Sequence, residues 1–227
     1  MGTRARTHHL APVSAPTSRT WSRSWWSLCA LHAGASVLLW WIGQDSASAL
    51  VWHARDWVQH PWTLWTSAWV HLGLGHLVGN VLALGAVAAA GGVLRADARC
   101  TVAWLLAWPL TQVSLLLWPT VDYAVGLSGL LHAGVLLLAV PLVWGPAPVR
   151  VPRLWGGVLL VGALTKVALE HGWSQPLMPP ADAGMTVVQA AHTTGAFWGL
   201  VLGLGVVAWQ RHARRREGAK KPAEAGL

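Results

Sequence analysis

The chain has 227 residues, of which 54% are hydrophobic and 11% charged, and carries a formal net charge of +8. Its apolar residues fall in blocks of about 20, the length that crosses a bilayer core as a helix with every backbone hydrogen bond made internally; an ordinary soluble domain does not have this composition. The positive charge sits at the chain ends and in short loops with no interleaved stacking aromatics, which argues against a nucleic-acid partner and for a membrane protein's cytoplasmic side.

Residues 1–24 read as a basic cytoplasmic arm, with Arg4, Arg6, Arg19 and Arg23 and no acid. Spans are predicted at 25–43, 74–94, 101–118, 126–144, 153–170 and 185–209. Trp25, Trp26, Trp40 and Trp41 bracket the first, and Trp118, Trp144, Trp155 and Trp209 mark other ends, where indole rings favour the bilayer interface. Between the first two spans, Gln44 to Val70 is too long for a turn and too polar for a span. Its Trp52, Trp57, Trp62, Trp65 and Trp69 suit either a loop lying partly in the outer interface or an ordinary folded loop. Arg95 and Arg99 follow span two, and Arg150 and Arg153 follow span four. The segment 210–227 is a basic tail, helix-permissive and expected to be solvated or disordered. Positive residues stay cytoplasmic, so both termini are predicted there. The expected fold is an all-α membrane bundle of six transmembrane helices, with residues 25–209 as its one domain. Cys29 lies within the first block and Cys100 in a loop at the far end of the second, a placement that suits neither a disulfide nor a metal site.

Polar groups inside spans are costly unless they are used or paired. They cluster in His71-Leu-Gly-Leu-Gly-His76-Leu-Val-Gly-Asn80, in Gly126-Leu-Ser128-Gly129 with His132 one turn later, and in Ala191-His192-Thr-Thr-Gly195-Ala-Phe-Trp-Gly199. Spans two, four and six run in the same direction. Asn80, Ser128 and His192 therefore lie within about two turns of the same side, roughly 10 Å of rise. A serine hydroxyl needs a neighbouring base, and a neutral imidazole can take its proton and return it to a leaving amine. Ser128 is the candidate nucleophile and His192 its base. Gly129, Gly195 and Gly199 leave room for the two helices to approach. His76 and Asn80 share a helix face and, with the Ser128 backbone N–H, form a candidate oxyanion site. His71 and His132 read as structural hydrogen-bonders. No acid is expected beside His192, so the machinery is predicted to be a dyad.

In order and on these spans, the motifs resemble the rhomboid protease pattern over about Pro61 to Gly203. The resemblance implies that Ser128 and His192 form the dyad and that His76 and Asn80 aid the oxyanion. It also implies single-span membrane proteins as substrates. More narrowly, the six-span layout and Gly126-Leu-Ser-Gly-Leu-Leu-His132-Ala133 resemble the rhombosortase subfamily, although Ala133 stands where glycine is expected. That group is implied to process exported proteins bearing a C-terminal Gly-Gly motif, an apolar helix and a basic end, here in a bacterial inner membrane. Many rhomboids also carry a Trp-Arg pair in the first outer loop, where this chain has Trp62-Thr63. No cofactor or metal is expected: no His-Glu-x-x-His occurs. The other readings are a rhomboid with different clients, an inactive relative that binds clients, and a b-type cytochrome using His32, His76, His132 and His192.

Overall fold

The computed structural model describes residues 23–146, 151–179 and 185–224. Arm residues 1–22, Arg150 and the last three residues lie outside the described residues. A helix stands at each predicted span: α1 (Arg23–Ile42), α3 (Leu74–Val93), α4 (Ala98–Val113, extended by a 3-10 turn over Ser114–Leu117), α5 (Ser128–Trp144), α6 (Arg153–Glu170) and α7 (Gln189–Glu224). A short α2 (Thr63–Thr66) lies in the first loop. By length and composition, four can cross a membrane: α1, α3, α4 with its extension, and α7 up to Arg216. The other two differ for separate reasons. α5 is apolar but only 17 residues long, and α6 carries Arg153, Lys166 and Glu170.

Local chemistry accounts for the boundaries that depart from expectation. α4 begins before residue 101 because Asp97 caps it, Oδ1 accepting from the backbone N–H of Arg99 (3.0 Å) and Cys100 (3.1 Å). Cys100 is thus in a helical first turn and not in a loop, and both cysteines are buried free thiols. α7 begins after residue 185 because β-branched Val187–Val188 (β4) pair antiparallel with Leu177–Met178 (β3). At its other end α7 continues through Arg211 to Glu224, so the basic segment read as helix-permissive, and as solvated or disordered, is helical as far as residue 224.

α5 is apolar all round and accordingly sits inside the bundle. Ala133, Leu136, Leu137, Ala139 and Val140 are inaccessible, and α3, α4, α6 and α7 all pack on this helix. Trp104 fixes the level of α5 by donating its Nε1–H to the Leu130 carbonyl (2.8 Å), and Trp25 stacks on Trp104 at 4.6 Å. Gly91 leaves space for the Trp25 indole. Trp25, expected at the bilayer interface, is therefore fully buried, whereas Trp26 and Trp41 are exposed. Outside, Leu82, Leu117 and Leu154 are at least 70% exposed, an apolar surface suited to lipid.

The first loop is folded. Trp52–His53 (β1) pair antiparallel with Tyr123–Ala124 (β2), just before Ser128 in the chain, and Trp52 is buried with Leu64, Leu115 and Val121. Trp62 and Trp65 remain exposed on it. Trp62 Nε1–H donates to Ala49 O (3.1 Å), Thr66 Oγ1–H to Leu50 O (2.9 Å) and Thr63 Oγ1–H to His60 O (2.7 Å). These bonds hold the loop without an arginine after Trp62.

Candidate active site

Ser128 is the first residue of α5, where backbone N–H groups have no partner within the helix. The turn leading to it depends on Gly126, whose φ of +95° is a conformation that side chains rarely adopt. Gly126 N–H donates to Ser67 O (2.9 Å), and Ser67 Oγ accepts from Gln112 Nε2 (2.9 Å), so the turn is fixed to both the first loop and α4. A Cβ at 126 would lie 2.5 Å from His76 Nε2 and 3.4 Å from Asn80 Nδ2. The start of α5 thus faces the imidazole and amide of α3 directly.

The orientation of that amide follows from a chain of hydrogen bonds. The Trp69 carbonyl can only accept, so His71 donates Nδ1–H to it (3.0 Å). His71 Nε2 is then an acceptor, and Asn80 Nδ2–H donates to it at 3.0 Å. Burial keeps His71 below the usual imidazole range, which preserves the neutral ring this arrangement needs. His76 packs edge-on against His71, with ring centroids 4.8 Å apart, and its buried Nδ1 has no partner among the described residues.

His192 lies in the first turn of α7, which crosses the start of α5, so that His192 and Ser128 line the same groove. At this crossing the backbones touch. A Cβ on Gly195 would collide with the Gly129 carbonyl, and one on Gly129 would lie 2.7 Å from the Ala191 carbonyl oxygen. One on Gly199 would lie 2.8 Å from Ala133 Cα, so a residue larger than glycine at 133 is met by glycine opposite. His132 donates Nδ1–H to Ser128 O (2.7 Å), and its ring stacks on His192 at 4.4 Å and 20°.

One functional candidate was not anticipated. Glu170, the last residue of α6, places Oε2 2.8 Å from His192 Nδ1, and Lys166 one turn earlier pairs with its other oxygen. The expectation that no acid stands beside His192 is therefore corrected. α6 runs antiparallel to α5 and α7, so its C-terminus arrives at the end where they begin. Glu170 is fixed there by the chain that follows it. His171 turns out of the helix at φ +52°, and Gly172 lies against the backbone of Gln189. Turned toward its acceptors, the Gln189 amide nitrogen reaches the carbonyls of Glu170 (2.6 Å) and Gln175 (3.1 Å).

Asn80, Ser128, His132, Lys166 and His192 line one groove of about 580 Å³. Its remaining walls are apolar: Leu131, Val135 and Leu138 of α5 form the floor, and mostly small side chains flank it, Ala83, Ala86, Val87 and Ala90 from α3 and Val158, Leu159, Gly162 and Ala163 from α6. α3 and α6 both rest on α5 and hardly touch each other. Residues 58–209, well over half of the chain, match the Rhomboid domain. The chain belongs to the rhomboid family. Among curated proteins none matches it significantly.

Rhomboids are intramembrane proteases, and the polar groups of this one are disposed for acid–base chemistry. His132, Glu170 and His192 do offer ligand atoms within 4.8 Å of one another. Two imidazoles bind one ion with in-plane lone pairs converging at about 2 Å. In this rhomboid the two rings are stacked nearly parallel, which sets those lone pairs side by side, and both Nδ1 atoms are already engaged. His32, midway along α1, is enclosed by Trp69, Trp104 and Trp108 and accepts from Trp69 Nε1–H (3.0 Å). Its surroundings are those of a packed core histidine.

Proposed function

We propose that this rhomboid is an intramembrane serine endopeptidase in which Ser128 is the nucleophile and His192 the base. The supporting observation is the groove: the hydroxyl-bearing start of α5 and the imidazole of α7 both line it, and His192 Nε2 is buried without a hydrogen-bond partner among the described residues. Ser128 Oγ attacks the scissile carbonyl carbon while His192 Nε2 takes its proton. The carbonyl oxygen, now an oxyanion, is met by the Ser128 backbone N–H, His76 and Asn80 Nδ2. Collapse breaks the C–N bond, and His192 returns the proton to the departing amine. Water then resolves the acyl-enzyme by the same steps.

In this reading all six long helices cross a bacterial inner membrane, both termini are cytoplasmic, and the site lies near the outer side. A single-span substrate reaches Ser128 through the gap between α3 and α6, whose small apolar side chains suit a helix leaving lipid. The client class we propose is exported proteins with a Gly-Gly-type C-terminal tail, because glycines unwind a helix and bare its carbonyl. Co-expression with such a protein, followed by mass spectrometry of its new C-terminus, tests this. Cleavage is expected with the wild type and absent with Ser128→Ala or His192→Ala. A tail left intact refutes the client class, and a tail cut equally by both variants refutes the mechanism.

A further inference from the structure

We infer that Glu170 is a positioning residue for His192, holding the imidazole of the Ser128–His192 pair in its working tautomer and orientation; this rests on the serine-protease reading above. A carboxylate accepts and does not donate, so the 2.8 Å contact puts the proton of neutral His192 on Nδ1. Nε2 is then the lone-pair atom, and it is Nε2 that is buried, unpartnered and beside the groove that Ser128 lines. One hydrogen bond thus selects the tautomer that can accept the serine proton. It also fixes the ring about its Cβ–Cγ bond, with His132 stacked on one face. When Ser128 Oγ bonds to the substrate carbonyl carbon, its proton moves to Nε2 and His192 becomes an imidazolium. Glu170 stays ionised against that charge, and the proton then leaves on the amine.

Three features hold the carboxylate where it acts through His192 and not on the substrate. Lys166 occupies its other oxygen, the Gln189 amide binds its backbone carbonyl, and Gly172 lets the end of α6 close on the start of α7. Its side chain is one-fifth exposed, against 6% for His192, so it lies at the rim of the site.

The test is the rate at which a fluorophosphonate probe labels Ser128 in the full-length protein in detergent, resolved into a maximal rate constant and a half-saturating concentration. Glu170→Ala is expected to lower the maximal rate by about 10²- to 10³-fold, below the ~10⁴ seen when a fully buried triad acid is replaced. Half-saturation should stay unchanged. Glu170→Gln is isosteric and can still accept from Nδ1–H, but without charge; it should fall between Ala and wild type, and it decides the matter if the Ala variant does not fold. Wild-type maximal rates in both variants would overturn the inference, as would a loss confined to thermal stability. Ser128→Ala separates the two claims: labelling that persists there refutes the serine reading itself.

Discussion

The α5–α7 crossing makes a quantitative demand on Gly195. An alanine Cβ at this position would lie 2.7 Å from the Gly129 carbonyl carbon and 3.2 Å from Gly129 Cα. Carbon atoms pack at about 3.5–4.0 Å, so the helices must part by roughly 1 Å. No side chain can rotate away to relieve this, because both colliding groups are backbone. His192 is one turn from Gly195, and Ser128 is adjacent to Gly129, so the parting falls on the proton-transfer distance. A misplacement of about 1 Å can cost about 10²-fold in rate, or some 2.7 kcal/mol of barrier. Gly195→Ala should therefore cut kcat/KM for a membrane-inserted substrate in proteoliposomes by about 10²-fold. Folding is checked in parallel by thermal unfolding in detergent. A folded Gly195→Ala protein that cleaves at the wild-type rate would refute the close crossing as the source of the site's geometry.

Gly126→Ala combines a strained φ with the loss of space for His76, and should reduce cleavage at least as far as Asn80→Ala, for which about 10²- to 10³-fold is expected in the same assay. His71→Gln disturbs the acceptor of the Asn80 amide and should cost about 1–3 kcal/mol of stability, read as a lowered Tm, with a smaller loss of activity than Asn80→Ala. Because the folded pKa of His71 is depressed, its stabilising contribution is present above about pH 6.5 and is lost as pH falls below it; the acid slope of Tm should be shallower in His71→Gln. Replacing both buried cysteines by alanine should leave cleavage within about twofold of wild type, since neither thiol reaches the groove. A dead but folded cysteine-free protein would contradict this.

The parts of the structure visible in the sequence were those set by hydropathy and chain direction. Apolar blocks located all six long helices, and the shared direction of three of them put Asn80, Ser128 and His192 at one end of the bundle. What escaped depends on packing between elements. Trp25 looks interfacial by position, but Trp104 and Gly91 offer it a fitted slot, and burial of an indole outweighs its preference for the interface. Glu170 does not follow from the direction shared by the helices that begin at the site, because α6 runs the other way and ends there. The available signal was an acid with Lys166 one turn before it at the outer end of a predicted span, a costly pair for a membrane helix unless used. The cap at Asp97 was readable too, since Asp just before an apolar run is a start signal. The β3–β4 pairing that delays α7 was not, because two-residue strands carry too little pattern.

The proposed transfer of the Ser128 proton on α5 to His192 on α7 is tested most directly by peptide mapping after exposure to a fluorophosphonate. The adduct should fall on Ser128 in the wild-type protein and disappear in folded His192→Ala. An adduct on another residue, or labelling of Ser128 that survives the loss of His192, would contradict it.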